Sequence, residues 1–376
     1  MSKPEAIQIE TILTHLRALV SADSSEPERT MTANHPAMLY AMGVLTDAGC
    51  DVEITDLGGG CVNLFATRGE TRTLFNCHLD TVKPNPMWTR DPFALDVEQG
   101  LAYGLGACDI KGAAACMLAV AQWTDAPIAI FFSSDEEGGK GVCVDSFLGV
   151  HAGRFARVVV AEPTNAKAVF QHRGFASFEI DFSGTAGHTS GADASSESAI
   201  HKAIKWGSEA LELARPGGVL DGSRFNIGVI EGGTASNVIA ASAKVRFGFR
   251  PQPSPEANEL AQQGIDALRT LLPKGGGDAW SERFVGPALS RDDSMIEVVE
   301  SWGIELGADV DFWTEAALFS AAGLPAIVLG PGDIAQAHAS DEFVALDQLE
   351  KCAGAYMRIV GCALQTPMMT GGTHAP

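Results

Sequence analysis

Three short apolar runs constrain this chain most: TLFNC (73–77), PIAIFF (127–132) and RVVVA (157–161). Each is the length of a strand, and each is too uniformly apolar for a strand with one wet face. They read as strands buried on both faces. Helical stretches alternate with them, AAACMLAVAQW (113–123) after the first and GVCVDSFLG (141–149) before the third. A helix over 37–48, ending at Gly49, and strands over 51–55 and 62–66 precede them. Apolar strands alternating with helices predict an α/β fold, a sheet covered on both faces. Each apolar run then gives way to a histidine or an acid. His78 and Asp80 follow the first, SSDEEGG (133–139) follows the second, and Glu162 follows the third. Ligand sites in open α/β sheets gather outside the carboxyl ends of the strands.

At 376 residues the chain exceeds what one core usually serves. Its texture changes after Arg173. FASFEIDFSG (175–184) alternates with period two, as a half-exposed strand does. A helix over 195–214, strands over 225–233 and 242–250, and a helix over 255–272 follow. They predict a small α+β domain with an open sheet, and PKGGGD (273–278) reads as the linker back. The last hundred residues regain α/β character: a helix over 294–306, the strand and turn LPAIVLGPG, and a closing helix from Asp347. Residues 1–173 and 284–376 are expected to form one domain, with 174–283 inserted into it. The tail from Gln365 reads as a disordered end.

The net charge of −21 disfavours nucleic acid and anionic membrane surfaces as partners. No apolar run is long enough to span a bilayer. The first twenty residues lack a basic segment followed by a continuous apolar one, so they do not read as a signal peptide. Ile9, Ile12, Leu13, Leu16 and Leu19 recur there at helical spacing, as in an amphipathic surface helix. The eight cysteines form no C-x-x-C pair, and Cys77, Cys108 and Cys116 lie in apolar segments. Reduced, buried thiols in a cytoplasmic protein fit that pattern.

The polar residues at the strand ends each have a plain structural reading. His78 and Asp80 point to one face of a strand and suit a hydrogen-bonded pair at the sheet rim. Asp109, in GLGACDIKG, suits a helix N-cap. Asp135, Glu136 and Glu137 suit a solvated acidic turn, although the strand before them reads as buried. Gly104 and Gly106 do not begin a nucleotide fingerprint, because Asp109 stands where the third Gly or Ala belongs. Taken together, His78, Asp109, Glu137, Glu162 and His338 all follow strands or occupy the loops after them. Mixed histidine and carboxylate donors suit Zn²⁺ and similar divalent ions. Five protein ligands exceed what one catalytic zinc takes. Two ions about 3.5–4 Å apart, sharing a bridging carboxylate, fit the number better. Glu136 is then left beside the ligands as a general base for the hydrolytic water.

The ordered set HLDTV, GLGACDIKG, SSDEEGG, AEPT and a late GPG…AH resembles the M20 family of metallopeptidases and amidohydrolases over nearly the whole chain. The resemblance implies a zinc-peptidase-like domain with a central mixed sheet flanked by helices. It also implies an inserted α+β lid and dimerisation domain with an open four-stranded sheet. It assigns His78, Asp109 and Glu162 to one ion, and Asp109, Glu137 and His338 to the other, with Asp109 bridging. The ions implied are zinc, with cobalt as an alternative. Asp80 would orient His78, Glu136 would be the base, and the Asp109–Ile110 peptide would be cis. His188 in GTAGHTSG would polarise the scissile carbonyl across a homodimer. Asn237 and Arg250 would contact substrate, Arg250 through an α-carboxylate. The stretch HTSGADASSESAI departs from the family's H-S-x-x-P-x-x-G-x-N-A by lacking that proline and that Asn-Ala.

Within the family, GACDIKGAAA and the segment from Phe312 to Glu342 are most similar to the acetylornithine deacetylases and their acetylcitrulline-specific branch. The resemblance therefore implies hydrolysis of a small N-acetyl amino acid, N-acetylcitrulline or N-acetylornithine, in arginine biosynthesis. A succinyl-diaminopimelate desuccinylase or a glutamate carboxypeptidase-like enzyme is the alternative. A non-catalytic binding relative ranks below both, since every ligand and the base are present.

Overall fold

The computed structural model describes residues 7–25, 31–139, 141–190, 198–254, 256–273 and 278–363. Contacts divide the chain into two units. One comprises Met1–Phe170, Asp292–Ala308 and Thr314–Pro376, and the other Gln171–Arg291 with Asp309–Trp313.

The chain opens with helices α1 (Ile9–Ser21) and α2 (Pro36–Asp47), then strands β1 (Asp51–Gly58), β2 (Cys61–Arg68) and β3 (Thr73–His78). Two short strands follow, β4 (Asp96–Glu98) and β5 (Leu101–Tyr103), then α3 (Gly112–Trp123), β6 (Ile128–Ser133), α4 (Val142–His151) and β7 (Arg157–Val160). The second unit contributes β8 (Phe175–Ser183), β9 (Gly187–His188), α5 (Ala199–Leu213), β10 (Arg224–Gly232), β11 (Val238–Ile239), β12 (Ser242–Arg250), α6 (Ala257–Thr270) and β13 (Ala279–Gly286). The chain closes with α7 (Ser294–Ser301), α8 (Ala316–Ala321), β14 (Ala326–Val328), β15 (Phe343–Ala345) and α9 (Leu346–Ala363).

The first unit is built on a mixed sheet of order β1-β2-β6-β3-β7-β14. Strands β6, β3, β7 and β14 run parallel, while β1 and β2 are antiparallel additions. Every residue of β3 and β6 is buried, as a parallel sheet covered on both faces requires. Alternate side chains of β6 enter different packing layers. Ile128, Ile130 and Phe132 join the core that includes α1, α2, α3 and α9. Phe131 instead meets Phe147 of α4 and Phe319 of α8. Helix α3 is buried from Gly112 to Ala121, which its run of small and aliphatic residues permits. Helix α1 buries Ile12, Leu13, Leu16, Leu19 and Val20 against that core. The parallel order brings the carboxyl ends of β6, β3 and β7 side by side.

The second unit has an antiparallel sheet of order β10-β12-β8-β13. Ala176, Phe178, Ile180 and Phe182 alternate along β8. With Val245, Phe247 and Phe249 of β12 they pack on Trp206 of α5 and Leu268 of α6. The intervening Glu179 turns the other way and pairs with Lys244 and Arg246, each at 2.7 Å.

Several details differ from the sequence reading. PKGGGD does not return the chain to the first unit, since β13 comes next and completes the second sheet beside β8. The glycine run mimics a linker because only tertiary pairing identifies β13. The helix expected over 294–306 stops at Ser301. Gly303 adopts φ +65°, and its N–H donates to the Glu300 carbonyl. Asp109 is not a helix N-cap. It lies in a kinked turn, Ala107–Lys111, before α3 begins, where neither Asp109 nor Ile110 has helical backbone angles and the Asp109–Ile110 peptide is cis. Strands β4, β5 and β15 form a small sheet that short, irregular sequences did not announce. The tail from Gln365 and residues 191–197 after His188 lie outside the described residues, as do 274–277 of PKGGGD. Among the described residues no helix is long and apolar enough to cross a membrane.

Candidate metal centre

His78 is the last residue of β3, and Glu162 lies two residues beyond β7. Asp109 reaches them from the Ala107–Lys111 turn. His78 Nε2 is 3.3 Å from Asp109 Oδ1 and 3.6 Å from Glu162 Oε1. The opposite ring nitrogen, Nδ1, is 3.0 Å from the Asp80 carbonyl oxygen and 3.5 Å from Asp80 Oδ1. An Nδ1–H donated to Asp80 leaves the Nε2 lone pair facing two carboxylates.

A second group shares Asp109. Its Oδ2 is 3.6 Å from His338 Nε2, which is 3.0 Å from Glu137 Oε1. His338 sits in the loop after β14 with φ +61° and is more than half exposed. His78, Asp109 and Glu162 form one cluster, and Asp109, Glu137 and His338 the other. Within each, one donor atom per residue lies within 4.8 Å of the rest. The two oxygens of Asp109 thus face different clusters.

SSDEEGG resolves into separate jobs. The Asp135 carboxylate accepts the N–H groups of Val142 and Cys143, at 2.7 and 3.2 Å, and so caps α4. Asp80 Oδ2 accepts the Glu137 N–H at 2.9 Å, tying the turn to β3. Glu136 lies among His78, Glu137, Asp109 and Asp80. Burial, reinforced by those carboxylates, pushes it well above the usual carboxylate range.

The charges do not balance within the protein. Burial and the Asp109 charge push Glu162 well up, and burial pushes Glu137 up. Burial alone would lower His78, but its contacts with Asp109 and Asp80 prevail and hold it well above its ordinary value. Contact with Glu137 raises His338 to about 9. Buried His78 Nε2, Asp109 Oδ1 and Asp80 Oδ1 accept or donate no hydrogen bond. Orphaned donors of this kind, converging from oxygen and imidazole side chains, suit divalent cations.

Two supporting contacts lie outside the sequence reading. Glu342 is buried, and its carboxylate accepts three backbone N–H bonds around Asp109. Its signal, an acid in SDEF, looks like an exposed turn. The Asp341 carboxylate accepts from the Thr89 and Arg90 N–H groups, fastening the loop over 83–93 to the His338 loop.

The remaining site residues lie in the second unit. His188 pairs with Val238 in a two-stranded ribbon, and the Thr189 N–H donates to the carbonyl of Asn237, so His188 and Asn237 share one structure. His188 Nδ1 accepts the Ser190 N–H at 3.2 Å, which places the proton of the neutral ring on Nε2. Arg250 is half-buried on β12, its guanidinium 4.6 Å above the Phe175 ring. It lines a cavity of about 320 Å³ with Arg224, Asn226 and Arg246. Burial lowers its pKa, and its Nη1 has no hydrogen-bond partner.

The sequence profile of peptidase family M20/M25/M40 matches residues 74–361. The chain belongs to this family. It is 42% identical to the N-acetyl-L-citrulline deacetylase of Xanthomonas campestris pv. campestris over 363 residues, 93% of this chain and 97% of that one. It is 29% identical to the acetylornithine deacetylase of Proteus mirabilis, covering 92% and 94% of the two chains. An M20 family metallo-carboxypeptidase from Sulfolobus solfataricus superposes with a TM-score of 0.74 at 15% identity. The match spans 94% of this chain and 99% of that one, a likeness of fold alone. Membership makes the chain a metal-dependent amidohydrolase of linear amides and gives the paired clusters their expected occupant, divalent metal.

Proposed function

We propose that this chain removes the acetyl group from a small N-acetyl amino acid, N-acetylcitrulline ahead of N-acetylornithine, in arginine biosynthesis. The observation that carries the chemistry is the pair of clusters sharing Asp109, with Glu136 beside them and in neither. The Xanthomonas relative at 42% identity supports the acetylcitrulline preference.

His78, Asp109 and Glu162 would hold one ion, and Asp109, Glu137 and His338 the second, zinc by preference with cobalt able to replace it. Bound there, the ions would polarise the acyl carbonyl and would make water acidic enough to be deprotonated near neutral pH. Glu136 takes a proton from the attacking water as the new C–O bond forms. It then hands that proton to the leaving nitrogen as the C–N bond breaks, giving acetate and the free amino acid. Asp80 keeps His78 oriented through its Nδ1 side. His188 donates from Nε2 to the developing oxyanion, Asn237 assists, and Arg250 takes the α-carboxylate.

The working form in this reading is a cytoplasmic homodimer joined through the second unit. Ile204 and Leu211, seven residues apart on α5, are more than half exposed, as is Ile230 on the edge strand β10. Among the described residues, seven buried free cysteines support a reducing compartment.

The decisive experiment measures acyl release by the Zn²⁺- or Co²⁺-loaded protein. Substrates are N-acetylcitrulline, N-acetylornithine and N-succinyl-diaminopimelate. The acetyl substrates should turn over fastest, and preference for the succinyl one would overturn the proposal.

A further inference from the structure

The segment from His338 to Ala345 does more than carry one imidazole. The Ser340 hydroxyl donates to Asn85 Oδ1, and Asp341 clasps Thr89 and Arg90. The Phe343–Ala345 strand pairs with Leu101–Tyr103, and the carbonyl of Glu342 accepts the Gly104 N–H at 3.0 Å. Between these anchors the Glu342 side chain turns inward and is 1% exposed.

One Glu342 oxygen, Oε1, accepts the N–H groups of Cys108 and Asp109 at 2.8 and 2.9 Å. The other, Oε2, accepts the Gly106 N–H at 3.0 Å. Burial pushes the Glu342 carboxyl up to about 7, and the three N–H donors oppose that rise. The same N–H bonds fix the backbone of the kinked turn from which Asp109 projects. Lys111, fully buried two residues beyond Asp109, interacts with Glu342 while its Nζ donates to the Ala22 carbonyl at 3.1 Å, and burial lowers its pKa to about 8.

We infer that Glu342 is a positioning residue: it sets the Asp109 carboxylate so that each oxygen faces its own cluster, and it does so from the same short segment that presents His338. This rests on the two-metal reading of the site. Asp109 belongs to both clusters, whereas His338 belongs to one. Loss of Glu342 should therefore weaken both ions together, and loss of His338 only one.

The test titrates Co²⁺ into the metal-free protein at pH 8 against a competing chelator, following the visible Co²⁺ absorption. Wild type, Glu342→Gln, Glu342→Ala and His338→Ala are compared, each with its melting temperature before and after metal. Glu342→Ala removes both acceptor oxygens and with them all three hydrogen bonds, and should weaken both ions by about 10- to 100-fold, the usual range for residues that orient metal ligands. Glu342→Gln keeps an oxygen for Cys108 and Asp109 but turns an NH₂ group toward the Gly106 N–H, so its loss should be smaller and shared by both ions. Where the alanine variant does not fold, the glutamine variant alone decides. Wild-type affinity for both ions, with only the metal-free melting temperature lowered, would reduce Glu342 to a structural cap and overturn the inference. Weakening of a single ion would overturn it too. Uptake of fewer than two ions by the wild type would instead bring down the two-metal reading beneath it.

Discussion

Asp109 and Glu136 divide the work of the site by where their oxygens lie. The Asp109 oxygens face separate clusters, so that residue cannot change without disturbing both. Glu136 stands among the same groups yet contributes to neither cluster. Glu136→Gln should therefore keep its metal content while kcat falls by about 10²- to 10⁴-fold, the usual contribution of a positioned general base. Metal analysis and steady-state kinetics on one preparation check both halves. Wild-type turnover would remove Glu136 from the base role, and lost metal would make it a ligand. At this scale, sequence reading reached residues whose type is itself unusual: a histidine or an acid at the end of an apolar run. It gave Asp135 of SSDEEGG no role of its own, because whether that residue caps α4 or faces a cation depends on where Val142 and Cys143 return. Glu342 escaped for a related reason. SDEF has the composition of a wet turn, and only the approach of residues 106–109 buries it.

The elements hold the site by close backbone contact as well as by side chains. Gly330 follows β14, and a Cβ there would lie 2.5 Å from the Glu162 carbonyl oxygen and 2.9 Å from its N. The Gly330 N–H also donates to Thr164 Oγ1. Gly330→Ala should cost about 1–3 kcal/mol, the range for overpacking a tight site, and should lower metal retention by displacing Glu162. Denaturant melts with and without metal measure both. An unchanged metal-dependent increment would show that Glu162 tolerates the shift. A second expectation concerns α1. His15 is 3% exposed, with Nδ1 2.8 Å from the Tyr40 hydroxyl and Nε2 2.9 Å from Gln122 Oε1. Burial lowers its pKa below the ordinary 6.5, outweighing the Gln122 contact. The folded state resists protonation that the unfolded chain accepts, so this stability is present above pH 6.5 and is lost as pH falls toward the depressed value. The melting temperature should drop between pH 7.5 and 5.5, and the drop should be smaller in His15→Gln. An equal drop would place the acid sensitivity elsewhere.

At the scale of the whole molecule, strong periodicity was legible and short or Gly-broken pairing was not. The largely apolar, fully buried strands β3 and β6 and the alternating β8 carry their burial pattern in the sequence. Strands β4, β5 and β15 have three residues each, too few for a pattern to repeat. The second unit raises the last question, which is whether His188 serves its own chain or a partner. Its exposed ribbon and the apolar residues on α5 and β10 support a homodimer with His188 working across it. Complementation separates the cases. Glu136→Gln lacks the base but keeps His188, and His188→Ala lacks the donor but keeps Glu136. Each should be nearly inactive alone. If His188 acts in trans, a mixed dimer has one site with both residues intact and one with neither. Random exchange at equal amounts makes half the dimers mixed, so activity should return to about a quarter of wild type in a two-fold symmetric dimer. Mixing must include a dissociation and reassociation step, verified by tagging one variant. If His188 acts in cis, every site in every dimer stays defective, and no activity returns however complete the exchange.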